Sequence, residues 1–284
     1  MENAICIRGL CKHYKDFSLE NLDLTVPTGT IVGFVGENGA GKTTTLKAIF
    51  GAIHTDGGII EVLGCTDPNR LDKSQIGVVM EDSFFYETLT PRQVNSIMKS
   101  LQPGWDSGEF ARLLNAYQLP EKKLIKDMSK GMRMKFRLAT ALAHKPRLLI
   151  LDEATSGLDP VVRGEVLDYL RDYIQDENHS VLMSSHITSD LEKVADSIAY
   201  LHKGRLLFQM DRDELLEKHG VLRCSPEQLD ALDTRVKVAT RKTGFTCETL
   251  VSDVAAARRT LPDAVIDRAS IEDIMQFYTG RDAQ

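Results

Sequence analysis

The stretch Gly36-Glu37-Asn38-Gly39-Ala40-Gly41-Lys42-Thr43-Thr44 fits the phosphate-binding pattern G-x-x-x-x-G-K-[ST]. Such chemistry needs glycines, because successive backbone amides must approach an anion closely, in part at positive φ. The lysine that follows reaches the β- and γ-phosphates, and the next hydroxyl is a hard oxygen ligand for Mg2+. Lys42 and Thr43 stand at those positions. Elsewhere, apolar runs end on polar groups: Leu148-Leu149-Ile150-Leu151 delivers Asp152-Glu153, and Val181-Leu182-Met183-Ser184-Ser185 delivers His186. Tyr14 offers a flat ring that either stacks on a nucleotide base or sits as a surface or hinge tyrosine.

These residues need a strand, a loop and a helix to position them. Residues 30–35 read as a buried strand before the loop, and 44–50 as a helix that Gly51 closes. Alternation over 4–10 and 19–26 suggests an antiparallel edge sheet, and 59–64 a hairpin strand after Thr55-Asp56-Gly57-Gly58. A further buried strand is expected at 76–80. From 84 to about 145 the pattern turns helical, with Thr90-Pro91-Arg92-Gln93 supplying an N-cap, a first-turn proline and a capping box, and 109–119 carrying helical spacing. Strands at 147–153 and 180–186 alternate with helices at 159–176 and about 190–195. A hairpin joins 198–201 to 206–210. The alternation predicts an α/β fold, a doubly wound sheet with ligands at the carboxyl ends of its strands. Beyond about 222 the motifs stop; a strand at 235–239 and helices at 252–261 and 270–278 make a small α+β appendix.

Composition bounds the function. The 284 residues carry 35 Lys and Arg against 41 Asp and Glu, a net charge of −6, which argues against a nucleic-acid partner. No apolar stretch approaches a membrane span and the opening residues form no signal peptide, so the expected location is the cytoplasm. Five dispersed cysteines, with no C-x-x-C pair, read as reduced thiols.

Over roughly residues 1–220 the order of these motifs resembles the nucleotide-binding subunit of ATP-binding cassette (ABC) transporters, because further elements fall into place. Asp152-Glu153 looks like the Walker B aspartate and catalytic glutamate, and Ser156-Gly157-Leu158-Asp159 like the D-loop. His186 matches the switch histidine, Ser129-Lys130-Gly131-Met132 the signature loop, and Tyr14 the base-stacking aromatic. The resemblance implies a P-loop cassette with a mixed sheet core, an antiparallel edge and a helical insertion. It implies that Asp152, with Thr43, serves Mg2+, that Glu153 polarises the attacking water as general base, and that His186 donates to the γ-phosphate. Ser129 and Gly131 would contact ATP on a second protomer, since the family closes two ATPs between head-to-tail cassettes; a copy or a paralogue would supply the other half.

Two departures from the family pattern stand out. Lys130 and Met132 replace glycine and glutamine in the usual Leu-Ser-Gly-Gly-Gln signature, and Glu81 replaces the Q-loop glutamine. Glu81 keeps a metal-ligating oxygen but adds negative charge beside the triphosphate. With the Ala154-to-Pro160 stretch, these departures resemble bacterial ABC-2 exporter ATPases, including those of bacitracin-type antibiotic export. The analogy implies a membrane permease whose short helix enters a groove lined by residues 82–87; Phe84 and Phe85 are equally readable as core. The expected organisation is an ABC ATPase domain over 1–221, with its helical subdomain at about 84–145, and a small α+β domain over 222–284. The chain would be peripheral on the inner face of the cell membrane, held by its permease. Two other readings stay open: a soluble ABC-type ATPase without a permease, and a nucleotide-sensing regulatory module.

Overall fold

The structure, a computed structural model, describes residues 2–80, 85–243 and 246–280. Strands β1 (Asn3–His13) and β2 (Ser18–Pro27) pair antiparallel. Strand β3 (Ile31–Val35) runs into the phosphate loop and helix α1 (Lys42–Ile49) leaves it. Strand β4 (Gly57–Val62) then pairs antiparallel with β1, Ile60 opposite Ile7. The hairpin expected at 59–64 is therefore a long-range pairing. The free edge of β1 needs a partner for its backbone groups, and Ile60 gains burial against the core beneath it.

After β5 (Ile76–Val79) come the three helices of the insertion, α2 (Pro91–Leu101), α3 (Ser107–Ala116) and α4 (Lys130–Leu142). Thr90 and Gln93 form the expected capping box, and Ser129 caps α4. The α/β alternation resumes with β6 (Leu148–Asp152), α5 (Pro160–Tyr173), β7 (Ser180–Ser185), α6 (Thr188–Val194) and the hairpin of β8 (Ser197–His202) and β9 (Arg205–Asp211). Lys203 and Gly204 both have positive φ, as a tight hairpin turn of this hand requires. Helix α7 (Arg212–Lys218) closes this part.

The remainder is richer in strands than the sequence suggests: β10 (Gly220–Cys224), α8 (Pro226–Ala231), β11 (Lys237–Thr243), β12 (Thr246–Val251), α9 (Val254–Thr260), β13 (Val265–Arg268) and α10 (Ile271–Thr279). They form a four-stranded sheet, order β11-β12-β10-β13. Strand β10 crosses the division expected at 221/222.

The central sheet has the order β5-β6-β7-β3-β8-β9, parallel except for β9. Successive residues of its strands face opposite cores, because side chains alternate across a sheet. Val32, Phe34, Leu148 and Ile150 pack towards α1 and the β2-β1-β4 sheet. Ile31, Val35, Leu149 and Leu151 pack towards the helical insertion, α5 and α6, a core that Ile271, Ile274 and Phe277 of α10 also join. Burial on both faces explains why these strands read as unbroken apolar runs.

Burial also holds the His144 and His219 imidazoles below their ordinary 6.5, against the opposing effect of hydrogen bonds to the Ile76 and Leu215 carbonyls. The unfolded chain takes up protons at both sites that the folded chain resists. Stability should therefore fall as pH drops through about 6.5 and hold above it. Thermal unfolding followed between about pH 7.5 and about pH 5.5 should show the midpoint dropping, with a shallower drop in His219→Gln.

Candidate active site

Three neighbouring strands, β6, β7 and β3, end side by side and bring Asp152-Glu153, Ser184-Ser185-His186 and the phosphate loop together. The loop admits little substitution. Gly41 has φ 111°, and a Cβ there would lie 2.5 Å from Leu19 Cδ2 and 2.6 Å from Phe17 Cζ. At Gly36 a Cβ would meet the Leu201 carbonyl oxygen at 2.4 Å. Lys42 is only 6% exposed; its Nζ donates to the Gly36 carbonyl at 2.7 Å and to that of Glu37 at 3.3 Å. No side chain caps α1, so its first amides remain available to an anion in the loop.

The two adjacent carboxylates lie in different environments. Asp152 is buried with both oxygens engaged: Oδ2 accepts from Thr43 Oγ1 at 2.7 Å, and Oδ1 from Ser184 Oγ at 2.6 Å. Glu153 has left the strand, with φ 53°, a left-handed conformation uncommon outside glycine. Its N–H donates to the Ser184 carbonyl at 3.2 Å and to Ser184 Oγ at 3.1 Å, which holds the turn. Oε2 accepts from the His186 backbone N–H at 3.3 Å and lies 2.5 Å from His186 Nδ1. Oε1 lies 3.4 Å from Lys42 Nζ, buried and without a hydrogen-bond partner among the described residues.

The other sequence-predicted residues divide. Within the loop, Gly36 and Ala40 are buried, while Glu37, Asn38, Gly39 and Thr43 are exposed and Thr44 is half-buried. Tyr14 is 47% exposed and lies nearly parallel to Phe17, ring centroids 6.5 Å apart, with Lys12 Nζ over its ring. Among the described contacts Ser129 and Gly131 touch other groups than the loop: Ser129 is exposed, its Oγ accepting from the Met132 N–H, and Gly131 lies against Val162 of α5. Lys130, Arg133 and Arg137 line a cavity of about 380 Å³ whose other wall includes Asp152 and Glu153. Glu81, with residues 82–84, lies outside the described residues.

Two contributors escaped the sequence reading. Ser184 donates to the Asp152 carboxylate and accepts from the Glu153 N–H, and its signal was a pair of serines ending an apolar run. Phe17 buttresses Gly41, and only its closeness to Tyr14 hinted at this.

This set of groups fits a nucleoside triphosphate with a hard cation. The unsatisfied Glu153 oxygen faces the lysine, and the hydroxyl of Thr43 and carboxylate of Asp152 adjoin as hard oxygens. No cluster of three metal-ligating side chains occurs among the described residues. Mg2+ is suited by such sparse sites, because it keeps waters and substrate phosphates as ligands.

Comparison with known proteins bears on the family and the fold. The sequence profile of the ABC transporter family matches residues 19–156. The ABC transporter ATP-binding protein YtrB of Bacillus subtilis (strain 168) is 32% identical over 225 residues, 79% of this chain and 75% of that one. The bacitracin transport ATP-binding protein BcrA of Bacillus licheniformis is 34% identical over 225 residues, 77% and 73% of the two chains. A solved structure described as the ATP binding subunit of an ABC transporter superposes with a TM-score of 0.67 at 27% identity, covering 75% of this chain and 91% of that one.

Because Ser184 supports both Asp152 and the Glu153 turn, Ser184→Ala should lower kcat for ATP hydrolysis about tenfold, as loss of one buried hydrogen-bonding group implies. The KM for ATP should stay within about twofold, since the phosphate loop is untouched. Steady-state phosphate release at varied ATP measures both.

Proposed function

Because this chain belongs to the ATP-binding family of ABC transporters, we propose that it is the ATP-hydrolysing subunit of a membrane exporter, one of two cassettes that close head to tail on ATP. The observation that carries the hydrolytic role is Glu153, with one oxygen tied to His186 and the other unsatisfied beside Lys42.

Lys42, the loop amides from Gly36 to Thr44 and the start of α1 bind and orient the triphosphate. Thr43 and Asp152 would hold a Mg2+ ion, with Glu81 as a further oxygen, and the bound ion would supply neutralisation of the triphosphate's charge. Glu153 takes the proton of the attacking water, and its contact with Lys42 gives way as the ammonium turns to phosphate. His186 keeps Glu153 in place through Nδ1 and presents its other ring nitrogen towards the γ-phosphate. Tyr14, supported by Phe17, stacks on the base. Ser129 and Gly131 serve the nucleotide of the second protomer; the exposure of Ser129 supports that assignment.

Export and the permease rest on the relatives and on one surface feature. An apolar cavity of about 400 Å³ lies between core and insertion, lined among others by Ile76, Val79, Met80, Phe85, Met98 and Arg137. Exposed Tyr86 and Leu101 adjoin its lining residues in the chain, which suits a short helix from a permease. No helix among the described residues is long and apolar enough to cross a membrane. The chain would sit on the cytoplasmic face through that partner, with no nucleic acid involved. The ATPase domain would span about residues 1–219, and the part from Gly220, which holds the sheet β11-β12-β10-β13, would form a smaller second domain.

Glu153→Gln should bind ATP and sediment as a stable dimer while hydrolysis is lost; a variant that hydrolyses normally removes Glu153 from its role. Purified in mild detergent from its native membranes, the tagged chain should bring with it a polytopic protein that stimulates its ATPase. A chain that comes down alone and unstimulated would favour a soluble ATPase.

A further inference from the structure

A ring of contacts closes behind Glu153. From Glu153 the chain runs forward five residues to Leu158, whose carbonyl oxygen accepts from an Arg163 terminal nitrogen at 3.3 Å. Across the site, Glu153 holds His186, and four residues on, Asp190 projects from the first turn of α6. Arg163 Nε lies 3.8 Å from Asp190 Oδ2, so a single guanidinium joins the two routes. The pair is costly to build. The Asp190 side chain is 1% exposed, and neither of its oxygens nor Arg163 Nε has a hydrogen-bond partner among the described residues. At 3.8 Å the ion pair is longer than a hydrogen bond, and a shift of about 1 Å would close it. A buried carboxylate in this condition is retained against a desolvation cost.

We propose that Arg163 is a positioning residue for hydrolysis, holding the Ser156-to-Asp159 loop and the helix behind His186 in one register, so that movement of either is felt at Glu153. The proposal rests on Glu153 being the general base. Arginine suits the task because its nitrogens point two ways from one rigid plane, towards Leu158 and towards Asp190. A lysine has a single charged centre; it would keep Asp190 paired without bridging to Leu158.

The test uses the full chain with Arg163→Lys, Asp190→Asn and the double variant, each read for kcat, KM for ATP and unfolding midpoint. Arg163→Lys leaves no buried charge unpaired, which guards against a folding failure. Each single variant should lose about tenfold or more in kcat with KM within about twofold, and the double should fall no further than the worse single. Wild-type kcat in both singles, or losses that multiply in the double, would overturn the proposal. So would a kcat loss that comes with a raised KM and a lowered midpoint, which would assign the pair to stability. Glu153→Gln, measured alongside, separates the two levels. If it hydrolyses at the wild-type rate, the base assignment fails and takes this proposal with it. If it is inactive while Arg163→Lys is unchanged, only the proposal fails.

Discussion

Burying a carboxylate is costly unless its oxygens are hydrogen-bonded, and at Asp152, where each oxygen accepts from a hydroxyl, that cost shapes the geometry around it. Its two oxygens are taken by Thr43, from the first turn of α1, and by Ser184, from β7. Leaving either oxygen bare in the interior would cost on the order of several kcal/mol for an ion. The carboxylate therefore locks the phosphate loop, β6 and β7 into one arrangement before any ligand arrives. The parallel register places Asp152 beside Ser184 on the neighbouring strand, so the sheet makes the contact without a special loop.

The adjacent carboxylate shows how one peptide step changes a group's chemistry. Had β6 continued, Glu153 would have pointed to the opposite face of the sheet from Asp152. Its positive φ ends the strand and turns the side chain across to His186 and Lys42. A left-handed glutamate is strained by about 1–2 kcal/mol per residue relative to the usual region, and the double acceptance of its N–H by Ser184 offsets that strain. Each Asp152 oxygen is thus engaged by a hydroxyl, while Glu153 Oε1 has no hydrogen-bond partner among the described residues. Adjacent in sequence, one residue is suited to holding and the other to reacting.

What could be read in advance follows from how far apart the interacting groups lie. The phosphate loop, the buried strands and the capped helices depend on neighbours within a few residues, and all appear where the sequence places them. The role of Ser184 depends on β6 and β7 being adjacent, and that of Phe17 on β2 passing under Gly41; neither adjacency is local. Strand β4 was legible as a strand but not as a partner of β1, for the same reason. In the last sixty residues the strands run four to seven residues with mixed exposure, and such short alternations fall below what periodicity can separate from loop.

Helix α6 links the site to the part of the chain that has no motifs. With seven residues it is too short to be stable alone, so its neighbours fix it. Arg163 of α5 meets Asp190. Arg212, at the start of α7, donates to the Glu192 carbonyl at 3.3 Å, and the Ile271 N–H of α10 donates to Glu192 Oε1 at 2.9 Å. Helix α10 also faces the phosphate loop across a cavity of about 390 Å³ bounded by Glu37, His186, Glu272 and Gln276. His186 sits two residues before α6, so its placement against Glu153 draws on the contacts of α6 with α5, α7 and α10. Residues beyond 220 thus form part of the support of His186.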